Sequence, residues 1–380
     1  MSVAKPWSRF ESLRTDCRHF RGDLPCLPHK QSGVHCVDKD GGPCPRYERQ
    51  TSQVLIIKLG ALGDVIRTTP VVRRLRSDYP EARLWWLTLS PDIVAAAVDV
   101  ALPFTAQSLA VLQATTFDIL YNFDKDREAC ALAARLTARM KKGFTLVNGT
   151  PAPIDADAQH KYLTGVFDDL SKANTKSYPQ EIFELAGFEF AGEEYLLPSF
   201  PEEALPWKLP RGKPVVGLNT GCGGRWVSRL WPEARWVQLA RRLKRAGYTP
   251  LLLGGEQEHT KNTRIARRSG ALYFGHHPLK RFIALVDRCD VVVTAVTMAL
   301  HIAVGLRKRI VLFNNIFNRH EFDLYGLGEI LEPPGGCTCY YAPVCTDPRH
   351  APGGCMPSLD VETVFGSIAR LLPGAKRRTR

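Results

Sequence analysis

Long apolar runs are missing from this 380-residue chain. None reaches the roughly 18 to 20 residues that a membrane-spanning helix requires. The opening MSVAKPWSRFESLRTDCRHF has no apolar h-region, so a secretory leader is not expected and a cytoplasmic location is. Neither G-x-G-x-x-G nor G-K-[S/T] occurs, which removes support for a dinucleotide fingerprint and for a P-loop. Basic residues are not interleaved with aromatics as in a base-stacking module, so nucleic acid is not an expected partner. C-x-x-C is also absent despite eleven cysteines, leaving those cysteines without their most specific metal-binding spacing.

What the chain does have is positive charge and grouped thiols. Lys and Arg number 51 against 38 Asp and Glu, a formal net charge of +13. The basic residues are spread through RTTPVVRRLR, ARRLKRAG, RIARR and the tail KRRTR. Such an excess reads either as a solvated surface or as attraction to an anionic membrane face or a phosphate-bearing substrate. Cys17, Cys26, Cys36 and Cys44 lie near one end of the chain, and Cys337, Cys339, Cys345 and Cys355 near the other. In a reducing compartment these groups suggest metal ligation more than disulfides. Tetrahedral zinc takes four thiolates, or a mixture with His19, His29, His35 or His350. An iron–sulfur cluster uses the same ligands. The opposing reading is inert or redox-active thiols.

Residues 1–50 are rich in Cys, His, Pro and Gly and lack periodicity, so they read as an irregular segment that needs a staple. From residue 53 strands alternate with helices. VLIIKL, ARLWWLTL and FDILYNFD read as strands, and VIRTTPVVRRLRSDYP, PDIVAAAVDV and DREACALAARLTARM as helices. After a helical stretch and a Pro-rich linker, the pattern resumes at PVVGLN. WVQLARRLKRAG is a helix, followed by strands TPLLLGG, DVVVTAV and RIVLFN, with helix TMALHIAVGL before the last of them. Alternation of this kind predicts an α/β protein with two doubly wound, Rossmann-like domains facing a cleft. The expected spans are 51–205 and 206–350, followed by a helix and basic tail over 351–380.

The stretch KLGALGDVIRTTP runs a buried strand into Gly60, Gly63 and Asp64. The glycines read as turn residues before a helix. Asp64 reads either as a helix N-cap or first-turn acid favoured by the macrodipole, or as a catalytic carboxylate. KLGALGDVIRTTPVVRRLRSDYPEARLWWLT resembles the opening of glycosyltransferase family 9, the lipopolysaccharide heptosyltransferases. VVGLNTG, LWPEARWVQLARRL, LLLGGEQE and HIAVGLRKRIVLFN extend the likeness. The resemblance implies a glycosyltransferase-B type fold and an inverting sugar transfer from a nucleotide diphosphate donor, with Asp64 as base. It places Arg229 where the family has a phosphate-contacting lysine.

The implied donor contacts are Thr220, Gly221, Arg229, Glu256, Thr297 and His301. The acceptor side is expected at Gly60, Gly63, Asn122, Lys125 and Arg127, with Asp124 at the same strand end; Asn315, Arg319, His320 and Glu321, beyond the last strand, are candidates for donor or acceptor contacts. The acceptor would be an anionic glycan or glycolipid of the cell envelope, reached at the inner membrane face. One departure stands out: at the family's G-D-T-G-P-M-H-like signature this chain has Ala295-Val296-Thr297-Met298-Ala299-Leu300-His301, and the acid is gone. No metal is expected in catalysis, and any zinc or iron–sulfur group is expected to be structural. A catalytically degenerate nucleotide-sugar-binding protein and a thiol or iron–sulfur redox protein are the other classes.

Overall fold

Val54, Leu55, Ile56 and Ile57 have no exposed surface because β1 (Ser52–Ile57) is paired on both edges, to β2 (Ala82–Thr88) and to β4 (Phe117–Asn122). An uninterrupted aliphatic run is what a parallel strand covered on both faces demands. The computed structural model describes residues 13–36, 44–350 and 354–372; the basic tail KRRTR lies outside them. The first sheet adds β3 (Val100–Pro103), β5 (Ala138–Val147) and β6 (Thr150–Pro153) in the order β3-β2-β1-β4-β5-β6. All its pairs are parallel except β5 with β6. The second sheet consists of β7 (Val215–Asn219), β8 (Thr249–Leu253), β9 (Val291–Ala295), β10 (Arg309–Phe313) and β11 (Gly328–Leu331). Its order is β11-β10-β9-β7-β8, all parallel.

Four strands, β3, β5, β6 and β11, were not expected from the sequence. The helix at Pro91 stops at Val94, and Val100–Pro103 becomes β3. Asp99 pins it there, its carboxylate accepting the Leu84 N–H at 2.8 Å while its own N–H reaches Leu84 O at 3.0 Å. The helix expected to run to Met140 ends at Arg135, where Leu136 turns extended, and the chain continues as the ten-residue β5. β11 follows what reads as the last strand. The expected helix over 65–80 is two helices, Leu62–Thr68 and Pro70–Asp78, since Pro70 has no N–H to continue the first.

Residue contacts divide the described chain into two units. The first holds described residues within 1–60, 69–159 and 184–188; the second holds 61–68, 160–183 and 189 onward. These spans differ from the expected ones in that 61–68, 160–183 and 189–205 fall in the second unit, where helix Leu62–Thr68 packs on helix Met298–Gly305. The first unit's core joins Leu55, Ile57, Trp85, Leu87, Phe117 and Leu120 to Ala129, Leu132 and Ala133 of one helical face. In the second unit Trp231 meets Trp236 edge-on at 4.9 Å and Phe313 at 5.3 Å. Val361, Val364 and Ile368 of helix Val361–Leu371 close the same core, and Asp360 caps that helix by accepting the Thr363 N–H at 2.8 Å. Among the described residues no helix is long and apolar enough to cross a membrane.

Candidate active site

In the second sheet the strand order reverses between β7 and β9, and ligands of open parallel sheets bind beyond the strand ends at such a point. There the sequence places Asn219-Thr220-Gly221 after β7 and Val296-Thr297 after β9. Thr297 is the N-cap of Met298–Gly305, its hydroxyl accepting the Ala299 N–H at 3.2 Å. Asn219 Nδ2 donates to the Thr294 hydroxyl at 3.0 Å and to the Thr297 hydroxyl at 3.3 Å. The helix N-terminus is thereby fixed to β7 by one buried amide.

Other residues expected at the donor site are turned inward. The Thr220 hydroxyl is buried and donates to Asn262 Oδ1 at 2.6 Å, so only its main chain faces the loop. Arg229 is also buried. Its guanidinium donates to the carbonyls of Cys222 at 2.8 Å, Trp226 at 3.4 Å and Val296, stapling the loop after β7 to the end of β9. Glu256 is exposed. The acid set against the loop is instead Glu258: a Cβ on Gly221 would stand 2.3 Å from its carboxylate, so a larger residue there would displace this side chain. Beside it, Lys261 Nζ donates to Thr220 O at 2.9 Å. Burial lowers the pKa of this ammonium, against the opposing pull of Glu258. Lys261 was missed in the sequence; its one signal is the E-x-x-K spacing that puts it one helical turn past Glu258.

Asp64 lies in the first turn of Leu62–Thr68, with a third of its side chain exposed. Arg67, one turn on, donates to it from Nε at 2.9 Å and Nη2 at 2.8 Å. The same guanidinium donates to Glu321 at 2.6 Å and lies 3.5 Å above the Tyr178 ring. Burial opposes the charge on Arg67, yet Asp64 and Glu321 prevail and raise its pKa. His301 packs under the same helix: a Cβ on Gly63 would lie 2.7 Å from its ring. Gly63 is therefore the space that His301 occupies.

His301 is buried and stacked against Tyr195 at 6.3 Å, and its Nδ1 has no hydrogen-bond partner. Burial, reinforced by Arg67 and opposed by Asp64, pulls its pKa down to about 3. The folded-state value lies below that of a free imidazole, so protons bind the unfolded chain preferentially and stability falls as pH drops below about 6.5. His301→Gln is expected to abolish about 2 kcal/mol of the stability lost between pH 7 and pH 5. Urea unfolding of both proteins at each pH checks it, and identical pH dependences would refute it.

In the first unit the strand end after β4 carries the expected acceptor residues. Asn122 has no exposed surface; its amide donates to Phe144 O at 2.8 Å and its Oδ1 accepts the Asp124 N–H at 3.1 Å. Asp124 is likewise engaged, by Lys58 at 3.0 Å and the Leu59 N–H at 2.7 Å. Both are framework rather than ligand contacts, a correction to the expectation for Asn122. Lys125 Nζ lies 5.8 Å from the Phe144 ring, and Arg127 is exposed at the start of the next helix. Gly60 meets only Leu89, at ordinary contact distance. In the second unit Asn315 binds Ser228 O at 2.9 Å, while Arg319 and His320 line an open depression of about 620 Å³.

All eleven cysteines are free thiols. Cys339 and Cys345 sulfurs stand 3.6 Å apart, and Cys339 accepts the Thr346 N–H at 3.2 Å. Burial, with Cys355 and Cys339 nearby, pushes the Cys337 thiol up to about 12. Cys17, Cys26, Cys36 and Cys44 line one small cavity in the first unit. Among the described residues, no group of three or more His, Cys, Asp or Glu side chains is drawn together closely enough to hold a metal ion.

Two Rossmann-like sheets of this order define the glycosyltransferase-B architecture. The particular family follows from the sequence match. Residues 162–316 match the model of glycosyltransferase family 9 (heptosyltransferase), the family that the sequence resembles. The glycosyltransferase family 9 structure from Veillonella parvula DSM 2008 is similar at 14% identity and TM-score 0.64, over 85% of this chain and 98% of that one. E. coli ADP-heptose lps heptosyltransferase II is similar at 13% identity and TM-score 0.59, over 84% and 98%. The iron-containing dodecameric glycosyltransferase TibC from enterotoxigenic E. coli H10407 is similar at 14% identity and TM-score 0.52, over 88% and 81%. No curated protein matches the sequence.

Proposed function

We propose that this protein is an inverting glycosyltransferase that moves a sugar from a nucleotide diphosphate donor to an anionic cell-envelope glycan or glycolipid. The observation that carries the reading is the placement of Asp64. Its helix packs in the same unit as the β7 and β9 strand ends, on the helix that Thr297 caps. The reaction needs a base for the acceptor hydroxyl and stabilisation of the departing diphosphate. Asp64 supplies the first. Lys261, the Gly221 main chain and the N-terminus of Met298–Gly305 supply the second, with the charge carried by the chain itself rather than by a catalytic metal. His301 Nδ1 is the remaining donor or acceptor for the sugar.

ADP-heptose is the donor favoured by the likeness to heptosyltransferase II, and Val296 in place of the family's acid argues for altered contacts to it. Basic helices such as Glu233–Arg245 suit a peripheral position on an anionic membrane face. The C-terminal thiols are assigned a structural metal, in keeping with the iron of TibC. A second reading, nucleotide-sugar binding without transfer, is favoured by Val296 and by the inward-turned Arg229. A thermal-shift screen against ADP-, GDP-, UDP- and dTDP-linked sugars tests the donor. A ligand at 100 times its Kd stabilises the fold by about 2.7 kcal/mol. No shift with any of them removes both readings; a shift without transfer to any acceptor leaves the second.

A further inference from the structure

Residues 13–36 and 44–50 form turns, one helical segment (Leu27–Ser32) and a bridge from Cys17 to Arg49, yet none of these residues is buried. Main-chain bonds tie the turns together, from the Arg18 N–H to Glu48 O at 2.9 Å and from the Gln50 N–H to Asp16 O at 2.7 Å. An ordered segment without an apolar interior needs another source of cohesion, and small folds use disulfides or a metal. Its four cysteines are all free thiols. At the centre, where a core would be, lies a cavity of about 10 Å³ bordered by all four sulfur-bearing residues.

We propose that Cys17, Cys26, Cys36 and Cys44 bind one tetrahedral divalent metal ion, zinc by preference, that holds this segment in its fold. The donor set is complete at four, as closed structural sites require. A cavity of about 10 Å³ bordered by all four cysteines has room for a single ion. Four thiolates around a divalent ion leave two negative charges. Arg14 and Arg46 line the same cavity and bring positive charge to its edge, Arg14 while bonded to Asp16 at 3.2 Å. The Cys44 sulfur already accepts the Arg46 N–H at 3.4 Å. The sulfurs border the cavity without meeting at a common point, so ligation at about 2.3 Å draws the turns inward.

Metal content of the full-length protein tests this independently of sugar transfer. Purified protein is analysed for zinc and iron beside Cys26→Ser/Cys36→Ser and Cys339→Ser/Cys345→Ser. The first variant is expected to lose about one zinc per chain, and the second to retain it. Because the first variant risks misfolding, the wild-type chain is also stripped with chelator and titrated with Co²⁺. The expected spectrum is the intense visible band set of tetrahedral thiolate-bound cobalt, and the share of it that belongs to the first four cysteines is lost in the Cys26→Ser/Cys36→Ser variant and kept in the other. Equal metal content and equal cobalt spectra in all three proteins would overturn the proposal. So would the visible absorption of a cluster containing several irons that disappears with Cys26 and Cys36.

Discussion

Asp64→Ala is expected to lower kcat by roughly 10²–10⁴-fold, the usual worth of a positioned general base, with donor affinity changed less than threefold. In activation energy this is about 3–5 kcal/mol. Fold stability moves far less, because a third of the Asp64 side chain is exposed and Arg67 keeps its bond to Glu321 at 2.6 Å. Asp64→Asn separates the two roles. It preserves the side chain's shape and an acceptor for Arg67 while removing the basic oxygen, so it should fold like the wild type and still lose turnover. Single-turnover transfer with labelled donor, alongside donor binding by calorimetry, measures both. Undiminished turnover in Asp64→Asn would end the assignment of Asp64 as base.

The alternating α/β architecture was legible because parallel strands covered on both faces must be continuous aliphatic runs, and β1, β7, β8 and β9 are. β3 and β5 were obscured for the opposite reason. Both lie toward the sheet margins, where burial is partial and alternation weak, and both sit in alanine-rich stretches that also satisfy a helical stripe. Of the positions named from motifs, Asp64, Thr297 and His301 fall in one unit, on or at the ends of two helices that pack together. Arg229 and Thr220 were legible in place but not in role, because a motif fixes where a residue falls and not which way its donors turn. Lys261 and Arg67 were invisible as site residues since an i, i+3 charge pair on a helix is usually only a solvated surface feature. The grouping of the first four cysteines could be counted in the sequence, but irregular spacings of eight to ten positions do not show that all four border one cavity.

Arg67→Met is expected to be the most destabilising single change at the site, by about 3–5 kcal/mol. Arg67 is held by two carboxylates and an aromatic face at once, through Asp64, Glu321 and Tyr178. Removing the cation leaves both acids facing a space that no positive charge fills, and the penalty is their uncompensated desolvation rather than the bond energy alone. The double variant Arg67→Met/Glu321→Gln should therefore be more stable than Arg67→Met by about 1–2 kcal/mol, a sign that simple loss of packing cannot produce. Arg67→Lys keeps the charge but cannot grip Asp64 with two nitrogens while reaching Glu321 with a third. Its expected signature is kcat reduced about tenfold with the donor KM unchanged, because Asp64 loses orientation and the donor loses nothing. Chemical denaturation of the three variants, with steady-state kinetics of the lysine one, distinguishes a positioning role from a structural one. Equal stability of Arg67→Met and its double variant, with full turnover in Arg67→Lys, would show that the guanidinium only fills space beside Tyr178.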